Sequence, residues 1–168
     1  MQIHVAGLLR DAVGATRQFS LDADPPLHRG TAELLRTPDS ILVRADAEVI
    51  IDTVCSRCLV PFGYVERVAF EEEFFQQVDI VTGLRTPSER AEADSFLIGL
   101  DHIIDITEAV RQYSEVAAEM QPLCRPDCPG ICQECGRDLA IEACACEQQP
   151  IDSRWLALTT LKQSRDGQ

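Results

Sequence analysis

The sequence predicts an α+β fold: a mainly antiparallel β domain with one main helix, then a cysteine-rich C-terminal segment ending in a short helix. Three observations predict it. Two long runs between residues 41 and 74 alternate with a period of two, one helical stripe starts near Asp105, and six of eight cysteines crowd into residues 124–146. At 168 residues, 45% of them hydrophobic and 26% charged, the chain is long enough to bury a core without cysteine staples. It reads as one domain over 1–168 with four regions: a β-rich stretch over 1–75, an acidic loop over 76–104, a helix over 105–121 and a cysteine-rich segment with a final helix over 122–168.

The first forty residues read as short strands and turns. Gln2 to Leu9 alternates loosely, and Arg17 to Leu21 alternates again before the breakers Asp24-Pro25-Pro26. The next strand is long. Ile41, Val43, Ala45, Ala47, Val49 and Ile51 share one face, with Arg44, Asp46, Glu48 and Asp52 on the other. After Cys55-Ser56-Arg57-Cys58 a second run puts Val60, Phe62, Tyr64, Val68, Phe70 and Phe74 on one parity. Two such runs around a short turn make an antiparallel hairpin with the cysteines at its tip. Residues 82–94 hold few large apolar side chains and read as a solvated mobile loop. From Asp105 the period becomes helical: Ile106, Ala109, Val110, Tyr113, Val116, Ala117 and Met120 form a stripe, Asp105 or Thr107 caps it, and Gln121-Pro122 ends it. A short amphipathic helix is expected from about Asp152 to Lys162, with Trp155 and Leu158 facing inward.

The formal net charge is −13, concentrated in residues 66–119, which carry 13 acidic and 4 basic residues. Such a surface repels phosphate at long range, so diffuse nucleic-acid binding is excluded and a basic partner fits better. The start of the chain has no signal-peptide pattern, and no stretch reaches the roughly 18 apolar residues of a membrane span. A cytoplasmic protein is expected, and there paired cysteines serve metal or redox chemistry more often than disulfides.

The cysteines form four close pairs: Cys55 and Cys58, Cys124 and Cys128, Cys132 and Cys135, Cys144 and Cys146. Zinc takes four thiolates tetrahedrally, and a tight turn can present two of them. Cys132-Gln133-Glu134-Cys135-Gly136 has the form of a zinc knuckle, in which Gly136 allows a positive φ, and Cys144-Ala145-Cys146 complements it. Cys55, Cys58, Cys124 and Cys128 would close a second site, tying the hairpin tip to the chain that leaves the helix. Crosswise pairing, or one zinc with free thiols, is also compatible with the spacing. So is an iron–sulfur cluster. A dithiol oxidoreductase using Cys55 and Cys58 is a rival reading, although such pairs usually precede a helix and here strand-like sequence lies on both sides.

Little else suggests chemistry. His4, His28 and His102 are scattered, Glu71-Glu72-Glu73 reads as a solvated strand end, and no phosphate-binding glycine loop or nucleophile elbow occurs. No enzyme and no small-molecule substrate are indicated.

Pro122-Leu123-Cys124 to Cys128, then Pro129-Gly130-Ile131-Cys132 to Cys135-Gly136-Arg137-Asp138-Leu139, with Cys144-Ala145-Cys146 and Ile151 to Leu158, resembles the YceD family of large ribosomal RNA subunit accumulation proteins. Cys55-Ser56-Arg57-Cys58-Leu59 resembles that family's other signature. Ser153 stands where the family commonly has proline, and Arg137-Asp138-Leu139-Ala140 is a looser form of its Gly-x-Asn-Leu-Asn. The resemblance implies a non-enzymatic role in accumulation or processing of large-subunit (23S) rRNA, and a link to a small ribosomal protein. Two interaction modes follow. Arg57, Arg125, Arg137 and Arg154, in or beside the cysteine motifs, would form a basic patch that contacts rRNA. Alternatively Glu71–Glu73 and residues 89–94 would hold a basic ribosomal protein.

Overall fold

The computed structural model describes residues 1–85, 90–92, 94–146 and 154. The chain divides into two compact units, Met1–Ser56 with Val60–Cys124, and Arg57–Leu59 with the chain from Arg125 onward. The first unit is built on a five-stranded sheet in the order β2(Thr16–Leu21), β3(Leu27–Arg36), β4(Ser40–Val54), β5(Pro61–Gln76), β6(Phe96–Ile98). A two-stranded ribbon pairs β1(Gln2–His4) with β7(Ile103–Asp105), and the helices are α1(Ala6–Arg10) and α2(Thr107–Ala117).

The β4–β5 hairpin dominates. Its antiparallel register runs unbroken from Ser40 opposite Phe75 to Val54 opposite Pro61. The period-two pattern decides which face is buried: Ile41, Val43, Ala45, Ala47 and Val49 all lie at 5% exposure or less, with Val68, Phe70 and Phe74 across the ladder. Ala32 and Leu34 of β3 extend this face, and the helices cover it with Leu8, Leu9, Ala109 and Val110. Toward the tip the apolar face is less enclosed, so Ile51, Phe62 and Tyr64 are only half-buried. The opposite face is solvated and carries cross-strand ion pairs: Arg44 with Glu71 at 2.5 Å, Arg29 with Glu48 at 2.6 Å, and Arg67 with Asp46. Exposed pairs of this kind contribute little to stability, because solvent screens them and ordering two long side chains costs entropy.

Three expectations are corrected. Gln2–Leu9 is not one strand: alternation holds only through Val5, and the adjacent Leu8 and Leu9 are both buried, which a helical turn allows and a strand does not. The five-stranded sheet is mainly antiparallel, as expected, and β6 makes it mixed by running parallel to β5, with Phe96 opposite Phe74. The expected acidic loop 76–104 contains two three-residue strands, β6 and β7, too short to show a period; Ile98 and Ile104 anchor them at 1% and 0% exposure. In α2 the buried stripe is Ile106, Ala109, Val110 and Ser114, whereas Val116 and Met120 are exposed. The Ser114 Oγ donates to the Val110 carbonyl at 2.6 Å, which satisfies the hydroxyl inside the packed face.

The N-cap position of α2 is Ile106, which makes no side-chain cap bond; Asp105, one residue earlier, accepts the Thr107 amide on its Oδ1 at 2.9 Å. Tyr113 stacks on Phe70 with ring centroids 4.9 Å apart, and its hydroxyl donates to Glu72 at 2.8 Å. The helix expected from Asp152 to Lys162 lies outside the described residues, apart from Arg154.

Candidate metal centres

The structure gathers the eight cysteines into two quartets. In each, the four Sγ atoms lie within 4.8 Å of one another: Cys55, Cys58, Cys124 and Cys128 in one, Cys132, Cys135, Cys144 and Cys146 in the other. All eight are free thiols. Four thiolates around one zinc at about 2.3 Å stand roughly 3.8 Å apart, so both quartets fit a tetrahedral ion with little rearrangement. The donor set is all sulfur, which suits a closed structural site for zinc or an iron–sulfur centre and excludes hard cations such as magnesium.

Local backbone geometry explains how the sulfurs are presented. The hairpin delivers Cys55 directly after Val54, and the Cys55 amide bonds to the Val60 carbonyl at 3.0 Å. Leu59 closes the tip with φ of 61°, a conformation that a residue with a Cβ adopts only at a cost. The Ser56 amide donates to the Pro122 carbonyl at 2.8 Å, which brings the segment leaving α2 alongside the tip just before Cys124. Cys55, Cys58 and Cys128 are buried and Cys124 is exposed.

The second unit is laced together by main-chain bonds. The Ile131 amide donates to the Arg57 carbonyl at 3.1 Å, and the Arg57 Nη1 donates to the Cys128 carbonyl at 3.0 Å. Gly130, with φ of 77°, lies so close that a Cβ there would meet the Arg57 carbonyl oxygen at 3.0 Å. Sequence reasoning missed Gly130; its signal was the Pro129-Gly130 turn dipeptide. Gly136 has φ of 70° but open space around it. Gly130→Ala is therefore expected to cost more than Gly136→Ala. Both cost about 1–2 kcal/mol for the backbone, and only Gly130→Ala adds a clash. Thermal denaturation of the two variants checks the order.

The Cys132 turn is closed by main-chain bonds. The Gly136 amide bonds to the Cys132 carbonyl at 2.9 Å and the Cys132 amide to the Arg137 carbonyl at 2.8 Å. Amide N–H groups of Cys135 and Glu134, with the Cys144 thiol, pull the Cys132 thiol down to about 6. The neighbouring Cys135 thiol, burial and Cys132 push Cys146 up to about 12. Crowded thiols of this kind release protons together when a cation enters.

The four arginines fare differently. Arg57 serves the fold through Cys128. Arg125 lies 3.5 Å from Asp127, and Arg137 lies 3.6 Å from Glu142; each guanidinium is about half exposed, at 49% and 58%. Arg154 is exposed. The acidic run is used internally: Glu71 pairs with Arg44, Glu72 accepts from Tyr113, and Glu73 accepts from Ser40 at 2.8 Å and Arg90 at 2.6 Å. Among the described residues, no helix is long and apolar enough to cross a membrane.

Comparison with known proteins finds relatives in mycobacteria. Uncharacterized proteins of Mycobacterium tuberculosis and Mycobacterium bovis are each 35% identical over 107 residues, covering 64% of this chain and 48% of theirs. An uncharacterized protein of Mycobacterium leprae is 27% identical over 124 residues, covering 73% of this chain and 54% of its own. The chain thus spans about half the length of the curated relatives it matches. No solved structure matches. Residues 43–162, which take in most of the β4–β5 hairpin, α2 and both cysteine quartets, match the family model described as large ribosomal RNA subunit accumulation protein YceD. The chain belongs to the YceD family.

Proposed function

We propose that this chain is a non-enzymatic, cytoplasmic ribosome-biogenesis factor that supports accumulation or processing of large-subunit (23S) rRNA. The observation that carries the reading is the family match over residues 43–162, since these residues hold both cysteine quartets. Zinc is the metal proposed for both, with Cys55, Cys58, Cys124 and Cys128 as one ligand set and Cys132, Cys135, Cys144 and Cys146 as the other. The glycine-closed knuckle at Cys132–Gly136 and the closed all-thiol sets suit zinc in a structural role. The metal would supply rigidity, and rRNA would be met by Arg125, Arg137 and Arg154, with Arg57 fixing its turn through the Cys128 carbonyl. RNA phosphate would take over from Asp127 and Glu142 as the partner of two of these guanidiniums.

The test is binding of the full chain to large-subunit rRNA fragments across a salt series. Arg125→Ala, Arg137→Ala and Arg154→Ala should each weaken binding and reduce the slope of log affinity against log salt by about one. Unchanged affinity and slope in all three variants would contradict RNA contact through this patch.

A further inference from the structure

β5 has an open edge. β6 covers it only from Phe74 to Gln76, and from Pro61 to Glu73 it has no strand partner on the side away from β4 among the described residues. In an antiparallel ladder, alternate residues turn their main-chain N–H and C=O groups toward the neighbour and away from it. The Val60 carbonyl accepts the Cys55 amide and the Gln76 amide reaches the Asp39 carbonyl, so the even-numbered residues face β4. The Arg67 amide turns the other way and donates to the Oε1 of its neighbour Glu66 at 3.1 Å. Gly63, Val65, Arg67, Ala69 and Glu71 therefore offer their main-chain donors and acceptors to the edge. All five are exposed, whereas Val68 and Phe70 between them are buried.

Native sheets usually guard such an edge with a bulge, an edge proline, charged side chains or a very short strand, and a guard made of glutamates repels acidic segments but admits basic ones. Here the strand is 16 residues long, its register is unbroken, its proline stands at the first position and it contains no lysine. Glu66 capping the Arg67 amide is a weak guard that a side-chain rotation removes. The strand carries Glu66, Glu71, Glu72 and Glu73 against Arg67; ion pairs with Arg44, Arg90 and Asp46 take up Glu71, Glu73 and Arg67, which leaves the carboxylates of Glu66 and Glu72 as the excess charge of this strand. We propose that the edge of β5 from Gly63 to Glu71 takes an extended, basic protein segment as an added strand. Main-chain bonds would supply affinity and the acidic surround would select the charge. A second copy of this chain is disfavoured as occupant, because two edges of a molecule with net charge −13 repel.

The test titrates the full-length, metal-loaded protein with a ten-residue peptide of alternating arginine and valine. A peptide of alternating glutamate and valine is the control. Amide hydrogen exchange is followed residue by residue. With the basic peptide the Val65, Arg67, Ala69 and Glu71 amides should slow at least about tenfold, and the acidic peptide should leave them unchanged. Ala69→Pro removes one edge-facing N–H without touching the β4 ladder and should weaken binding at least about tenfold. If that variant fails to fold, the basic peptide N-methylated at alternate positions, offered to the unaltered protein, should lose binding instead. Equal binding of both peptides, protection confined to other residues, or protection of this edge that grows with protein concentration alone would overturn the proposal.

Discussion

Chelation of the metal under reducing conditions is expected to unfold residues 125–146 while the amides of β3, β4 and β5 stay protected. The two units rest on different interactions. Among the described residues of the second unit, the buried apolar side chains are Cys58 and Cys128, both thiols of a quartet. None of its other described large apolar side chains is fully buried: Ile131 is half-buried, Leu139 is 36% exposed, Leu59 60% and Ile141 79%. Without a metal this unit has main-chain hydrogen bonds and exposed ion pairs, which do not offset the ordering of a loop-rich segment. A structural zinc supplies an apparent ~10–16 kcal/mol at neutral pH, comparable with the whole stability of a domain. Cys132→Ser should remove one metal per chain and loosen the knuckle first. Hydrogen exchange followed by mass spectrometry checks both, and equal protection of residues 125–146 with and without chelator would contradict the account.

Phe74→Ala is expected to destabilise the first unit by about 3–5 kcal/mol. Phe74 is 1% exposed, stands opposite Ile41 in the β4–β5 ladder and stacks on Phe96 with centroids 5.1 Å apart. Truncation leaves a cavity where β4, β5 and β6 meet, bounded by strands that cannot collapse into it. The loss would be a large share of a typical ~5–15 kcal/mol. Urea denaturation followed by the far-ultraviolet backbone signal checks it. A loss below about 1 kcal/mol would show that Phe74 does not pack as described.

How legible the molecule was in its sequence depended on the length of each signal. The β4–β5 hairpin was legible because one face stays apolar over many residues, from Ile41 to Val49 and from Val68 to Phe74. β6 and β7 were not, because three residues cannot display a period and their placement depends on pairing with distant strands. The parallel β5–β6 pairing was hidden for the same reason. In α2 the stripe read from the sequence is wider than the buried face: Val116 is exposed although it lies inside the helix, and Met120 is exposed beyond the helix end at Ala117.

The site divides in the same way. Short cysteine spacings announce ligand pairs, and the quartets the structure gathers join pairs far apart in sequence, such as Cys58 with Cys124. The supports under the pairs left fainter marks. Gly130 against the Arg57 carbonyl and the Ser56 amide on Pro122 are long-range main-chain contacts that no local pattern encodes. The roles of Glu71, Glu72 and Glu73 were equally hidden, because a run of glutamates looks the same in sequence whether solvated or paired.

The most direct measurement is elemental analysis of natively purified protein combined with thiol titration before and after denaturation. Two metal-filled quartets predict two zinc ions per chain and eight thiols that react only after the protein is unfolded and the metal released. One zinc per chain with Cys55 and Cys58 freely reactive in the native protein would contradict the first site, and would return those two cysteines to redox chemistry.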